Sequence, residues 1–193
     1  MPAECAVTQA AELADGRRVE FCGLGPNPLV SVVMPSYNQG EYVRAAIESV
    51  LTQTYRPLEL VIMDGESTDM TLSILHRYDD RPEVSWISEP DSGVVEAVNK
   101  GLCAAHGEIL AIQSSDDLYA SADVISDAVR VLQATPSIGM VVGNIVKEDT
   151  EGKVLFESDF APFSLETFLI GDSRIPQESC FFRRELAQAV GGW

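Results

Sequence analysis

Two adjacent aspartates, Asp116 and Asp117, sit near the end of the run ILAIQSSDDLY at Ile109–Tyr119. A short apolar run bounded by polar residues reads as a strand buried on both faces, as inside a parallel sheet. Open α/β sheets bind ligands beyond the carboxyl ends of their strands. Paired carboxylates there offer the hard oxygen atoms that hold a divalent cation. The pair would equally suit a solvated loop or the start of a helix, so its meaning depends on the other strand ends. Two of these are chemically distinctive: Ser36-Tyr37-Asn38 after LVSVVM (Leu29–Met34), and Asp64 after LELVIM (Leu58–Met63). Tyr37 can stack on a base, and Asp64 can accept a hydrogen bond from a base N–H or a ribose hydroxyl. A metal on Asp117 can neutralise a diphosphate leaving group. The chemistry that suits all three ends is the binding of a nucleoside diphosphate.

The elements that must position these residues follow from periodicity. Val43, Ala46, Ile47, Val50 and Leu51 recur at helical spacing over Glu41–Gln53. Met70, Ile74 and Tyr78 suggest a short helix, and Val84–Ile87 a brief strand. Val94, Ala97, Val98, Gly101, Leu102 and Ala105 give another helix, with Gly107 in the place of a C-cap. Ala120–Ala134 is a further amphipathic segment. The resulting β-α-β-α-β-α-β-α order predicts an α/β fold, Rossmann-like, with a mostly parallel sheet and helices on both faces. After Pro136 the rhythm changes: Ile138–Val146 and Val154–Glu157 read as strands, Phe163–Ile170 as a short helix, Cys180–Phe182 as a strand and Arg184–Val190 as a helix. Residues 1–28 read as a surface leader with one short helix. The GxG within GLGPNP precedes the first strand and opens no helix, which excludes a dinucleotide fingerprint. Ser67, Thr68 and Asp69 have the residue types of helix caps, while Glu96, Asn99 and Lys100 fit a solvated helix face.

The 193 residues suit one domain with a sizeable core. Thirty acidic against 13 basic residues give a formal net charge of -17, which excludes a nucleic-acid binder. A phosphorylated substrate must therefore find a local cation. Cys5, Cys22, Cys103 and Cys180 are scattered without metal-ligand spacing and read as reduced thiols of a cytoplasmic protein. The start, MPAECAVTQAAELADG, lacks the basic and apolar regions of a secretory signal, and no run is long enough to span a bilayer. Peripheral association with the inner face of the membrane stays compatible with this composition.

The ordered series VVMPSYNQGEYVRAAIESVLTQTY, LELVIMDGESTD, EPDSGVVEAVNKGL and GEILAIQSSDDLY resembles the family-2 glycosyltransferases of GT-A fold. The likeness covers Leu29 to about Tyr119 and continues more loosely through IPQESCFFRRELAQAVGGW. It implies a donor-binding part over residues 29–135 and an incomplete acceptor-side part over 136–193. By resemblance Pro35, Ser36 and Tyr37 line the base pocket and Asp64 meets the base. Asp91, Asn99 and Lys100 lie near the ribose and diphosphate. Ser115-Asp116-Asp117 looks like the family's DXD variant, with Asp117 the metal ligand, for Mn²⁺ or Mg²⁺, and Asp116 nearer ribose and sugar. The implied activity is inverting transfer from a nucleoside-diphosphate sugar, a UDP-sugar by family habit, to a hydroxyl of a sugar or lipid-linked acceptor. Such enzymes serve polysaccharide or glycoconjugate synthesis.

Two departures stand out. Glu96 occupies a position where many relatives carry aspartate. The family's general base falls after the Gly191-Gly192-Trp193 motif, so the sequence is expected to be truncated on its acceptor side and the catalytic base is left unassigned. A non-catalytic nucleotide-sugar-binding module is the alternative. A sugar-phosphate nucleotidyltransferase would need a glycine-rich, basic loop where PSYNQGEY stands. A serine hydrolase would need the second glycine of a nucleophile elbow, which Gly65–Asp69 lacks. Glu178 reads as a polar residue at a strand start. Oligomeric state is not legible.

Overall fold

The computed structural model describes residues 7–13, 15–149, 151–158 and 175–193. Its centre is a six-stranded sheet. Strands β3 (Val30–Ser36), β4 (Leu58–Asp64), β5 (Val84–Ser88) and β6 (Ile109–Ile112) are parallel, in the spatial order β5-β4-β3-β6. Beyond β6 the sheet is extended by β10 (Cys180–Arg183), antiparallel to β6, and then by β7 (Met140–Val142), antiparallel to β10. Every residue of β3 and β6 is buried, which is why both are predominantly apolar.

Side-chain alternation sends successive residues of each strand to opposite faces. Val30, Val32, Met34, Leu60 and Ile62 pack on one side against helices α1 (Val43–Leu51), α2 (Thr71–Leu75) and α4 (Val124–Ala134). Val33, Val61, Met63, Leu110 and Ile112 pack on the other against α3 (Val94–Ala104), with Leu186 and Ala187 of α5 (Arg184–Val190) at the margin. The expected parallel α/β architecture with helices on both faces is therefore present.

Several local expectations are corrected. No helix forms among the described residues of the leader; β1 (Val7–Glu12) and β2 (Arg18–Cys22) make an antiparallel hairpin, and Val19 and Phe21 of β2 are buried. The strand expected over Ile138–Val146 divides into β7 and β8 (Val146–Glu148), and β8 pairs with β9 (Val154–Glu157) in a separate two-stranded sheet. The helix expected over Phe163–Ile170 lies outside the described residues. Cys22 is disulfide-bonded, against the expectation of reduced thiols, whereas Cys103 and Cys180 are free.

Gly107 is not the C-cap of α3, which is Ala105 in extended conformation. It is instead a point of close approach, where a Cβ would stand 2.5 Å from Ser31 Oγ and 2.7 Å from the Leu29 carbonyl oxygen. Among the described residues no helix is long and apolar enough to cross a membrane.

Arg183 is fully buried at the end of β10. Its guanidinium donates to the carbonyl oxygens of Ile138, Cys22 and Leu132 and lies 5.4 Å from the centroid of the Phe21 ring. One side chain thereby joins the N-terminal hairpin, the C-terminal turn of α4 and the entry to β7. A guanidinium suits the task because its planar fork presents several donors at once.

Candidate functional site

The parallel strands bring their carboxyl ends to one edge, and the loops there are knitted together by side chains. Ser36 lies in register with Asp64, and Asp64 with Ser88. Three successive backbone N–H groups of the loop after β3 donate to side chains of the segment after β4. Asn38 N–H donates to Ser67 Oγ, Gln39 N–H to Thr71 Oγ1 and Gly40 N–H to Asp69 Oδ2, at 2.8, 3.0 and 2.8 Å. Asn38 and Glu66 hold positive φ angles of 53° and 64°, strain of the kind that persists where the surroundings over-determine the backbone. The N-cap of α2 is Met70, so none of the three residues expected as caps takes that position, although Asp69 accepts from the Thr71 N–H at the start of the helix. Ser67 instead receives Asn38, and the Thr68 N–H donates to Asn38 Oδ1.

Asp64 lies beneath this double loop. It is only 2% exposed, and its carboxylate accepts from the Ser67 N–H at 2.9 Å, Ser67 Oγ at 2.5 Å and Ser88 Oγ at 2.7 Å. These bonds fix the start of the DGESTD loop.

A cleft of about 540 Å³ opens above it, lined among others by Pro35, Ser36, Tyr37, Gly65, Asp91 and Asp116. Tyr37 is 60% exposed and presents its ring to this space. Ser36 is buried at the cleft wall, and its hydroxyl has no hydrogen-bond partner. Asp91 Oδ1 accepts from the Gly93 N–H at 2.8 Å, while Oδ2 lies against Gly65. Of the residues singled out in the sequence, the cleft thus gathers Pro35, Ser36, Tyr37, Asp91, Ser115 and Asp116. It leaves out Asp64, Asn99, Lys100 and Asp117.

Asn99 and Lys100 are engaged elsewhere. The Asn99 amide brackets the backbone of Trp193, accepting from its N–H at 2.8 Å and donating to its carbonyl at 3.2 Å. Lys100 Nζ lies 2.9 Å from both Glu89 Oε1 and Glu96 Oε1 and donates to the Pro90 carbonyl. Gln39, Gly93, Val94, Ala97 and Ser114 also line the cleft, and the sequence reading assigns none of them to the site. The φ of +127° at Gly93 is a requirement that a glycine opening a helix can signal.

The loop carrying Asp116 and Asp117 is held at both ends. Gln113 N–H bonds the Val33 carbonyl, and beyond the aspartates the buried Gln53 donates to the Ser121 carbonyl and accepts from the Ile125 N–H. Asp116 is exposed and Asp117 half-buried. Burial, and then the charges of Asp116 and Glu178, push the Asp117 carboxyl above its ordinary range; a hydrogen bond from Ser114 and the charge of Lys147 act the other way. Negative potential concentrated on a half-buried carboxylate is what a cation relieves. Among the described residues no group of three His, Cys, Asp or Glu side chains converges into a metal cage. The donor set fits instead a hard cation held by one or two carboxylates and completed by substrate phosphates.

The Glycosyl transferase family 2 profile matches residues 31–189. The chain belongs to that family. An uncharacterized glycosyltransferase of Mycobacterium tuberculosis is 31% identical over 173 residues, covering 86% of this chain and 63% of the relative. Chondroitin synthase of Escherichia coli is 32% identical over 139 residues, 72% of this chain and 20% of the relative. The mannosyltransferase of Pyrobaculum calidifontis, solved in complex with GDP-Man and Mn²⁺, superposes with a TM-score of 0.66 at 25% identity, over 88% of this chain and 50% of that one. The chain thus spans less than two thirds of these relatives. The fold of this family-2 chain is GT-A, as the sheet topology and the solved neighbour show.

Proposed function

We propose that this chain forms the donor side of an inverting, metal-assisted glycosyltransferase, with residues 29–135 binding a nucleoside-diphosphate sugar and residues 136–193 beginning the acceptor side. The observation that carries this reading is the cleft at the carboxyl edge of the sheet. It joins an exposed aromatic ring, an unpartnered buried hydroxyl and two carboxylates, and the half-buried Asp117 follows directly in the chain.

In this reading Tyr37 stacks on the base, and Pro35 and Ser36 line its pocket. Asp91 meets the nucleoside, and Asp116 faces the ribose and sugar. Asp117 holds Mn²⁺ or Mg²⁺, which supplies neutralisation of the diphosphate leaving group. Asp64 contributes by holding the base-side loops in place. The acceptor hydroxyl attacks the anomeric carbon from the face opposite the diphosphate; one C–O bond forms as the other breaks, and configuration inverts. The hydroxyl proton passes to a carboxylate base, which is left unassigned.

The nucleotide-sugar and Mn²⁺ in the P. calidifontis enzyme support the donor class. Chondroitin synthesis by the E. coli relative supports an acceptor within polysaccharide or glycoconjugate assembly. In this reading a lipid-linked acceptor would be met at a membrane face where nucleotide sugars are the activated donors.

Calorimetric titration with UDP, GDP, TDP and CMP, each with and without Mn²⁺ or Mg²⁺, tests the reading. Metal-dependent binding of one diphosphate supports it and identifies the base. Absence of binding under every condition would overturn it, and binding without sugar transfer would make the chain a nucleotide-sugar-binding module.

A further inference from the structure

We infer that Lys100 serves the donor site as a positioning residue, acting through the Glu89–Gly93 loop without touching the nucleotide; this rests on the donor-site reading above. An ammonium group has three N–H donors. The three acceptors around Lys100 are Glu89 Oε1 at 2.9 Å, Glu96 Oε1 at 2.9 Å and the Pro90 carbonyl at 3.2 Å. No donor is left for a phosphate.

Glu96 extends the same network. Its second oxygen accepts from the Ser92 N–H at 2.9 Å and from Ser92 Oγ at 2.5 Å. The hydrogen bonds from Ser92 and Lys100 hold the Glu96 carboxyl down to about 2. Residues 89, 90 and 92 are therefore all bound into one cluster anchored on α3, and the residue they enclose is Asp91.

Asp91 is the loop's contribution to the cleft. Its Oδ1 is taken by the Gly93 N–H, which leaves Oδ2 beside Gly65 and Tyr37 as the loop's acceptor toward a nucleoside. A single exposed ion pair contributes little. Lys100 and Glu96 instead share five polar contacts, and what they fix is the backbone on both sides of a ligand-facing carboxylate. Glutamate at 96 matters here, because one oxygen must reach Ser92 while the other meets Lys100, and aspartate is one methylene shorter.

The test compares UDP and UMP affinities, at saturating Mn²⁺, for the wild-type chain, Lys100→Met, Asp91→Ala and the double variant. Lys100→Met is expected to weaken UDP and UMP equally, by about tenfold, the scale of coupling within one hydrogen-bonded network. It is expected to add nothing in the Asp91→Ala background. Glu96→Gln, which keeps an acceptor for Ser92 but loses the charge, should give a smaller loss with the same uniform pattern.

A loss larger for UDP than for UMP would show direct contact with the second phosphate and overturn the inference, as would additivity with Asp91→Ala. Failure of the wild-type chain to bind UDP would overturn the donor-site reading itself, and this inference with it.

Discussion

The Asp91 carboxylate fills the space that a side chain on Gly65 would need: Oδ2 lies 2.8 Å from where a Cβ would stand, and the Tyr37 ring edge lies 3.3 Å from the same point. The loops after β3, β4 and β5 therefore meet at one glycine. Gly65→Ala should cost less than about 1 kcal/mol of stability, because the obstructing atom is the end of a side chain that can swing away. The swing would carry Asp91 out of position, so nucleotide affinity should fall by about tenfold. Paired denaturation and binding measurements check this, and a large stability loss with unchanged affinity would contradict it.

Gly107→Ala should behave in the opposite way. A Cβ there would meet the Ser31 backbone nitrogen at 2.6 Å and the Leu29 carbonyl oxygen at 2.7 Å, atoms that cannot rotate aside. Destabilisation of about 3 kcal/mol is expected, measured by urea unfolding.

Arg183→Met should cost about 3 kcal/mol, because it removes a fully buried guanidinium that donates to the carbonyl groups of Cys22, Leu132 and Ile138 at once. Arg183→Lys should recover only part of the loss, since one ammonium cannot reproduce the fork. Urea denaturation of both variants decides this.

A pH dependence follows from Glu59 at the opposite edge of the sheet. Burial alone would raise its carboxyl, but hydrogen bonds from Ser31 Oγ and the His106 N–H, with the His106 ring, outweigh that and hold it below the ordinary glutamate value. A carboxyl depressed in the folded state contributes stability that is complete above its unfolded value and is lost as pH falls through the folded one. The melting midpoints of wild type and Glu59→Gln should therefore differ near neutrality and converge as the solution is acidified below about pH 4. A constant gap across that range would contradict this.

The parallel strands were legible because strands buried on both faces leave predominantly apolar runs, as LVSVVM and LELVIM do with Ser31 and Glu59 as their single polar residues. The hairpin of β1 and β2 carries a weaker signal. Residues 18–22 alternate in burial, but RVEFC is too short to stand out beside a turn-rich neighbour. The strand-end acids were legible for the same reason as the strands. What each acid does was not, because its partners are distant in sequence. Asp64 is occupied by Ser67 and Ser88, Asn99 by Trp193, and Lys100 by Glu89 as well as Glu96. Residue type announces that a side chain can bind a ligand; only the packing shows whether its valences are already taken.

Thermal unfolding of the wild-type chain and Asp117→Ala, with and without Mn²⁺ and a nucleoside diphosphate, tests the central claim most directly. At a hundredfold excess over the dissociation constant, binding to the native state stabilises it by about 2.7 kcal/mol. The account predicts a raised midpoint for the wild type only when metal and diphosphate are both present. It predicts no such rise for Asp117→Ala, whose midpoint without ligand should match the wild type. An equal, metal-dependent rise in the variant would contradict the assignment of Asp117, and no rise in either protein would contradict the donor site.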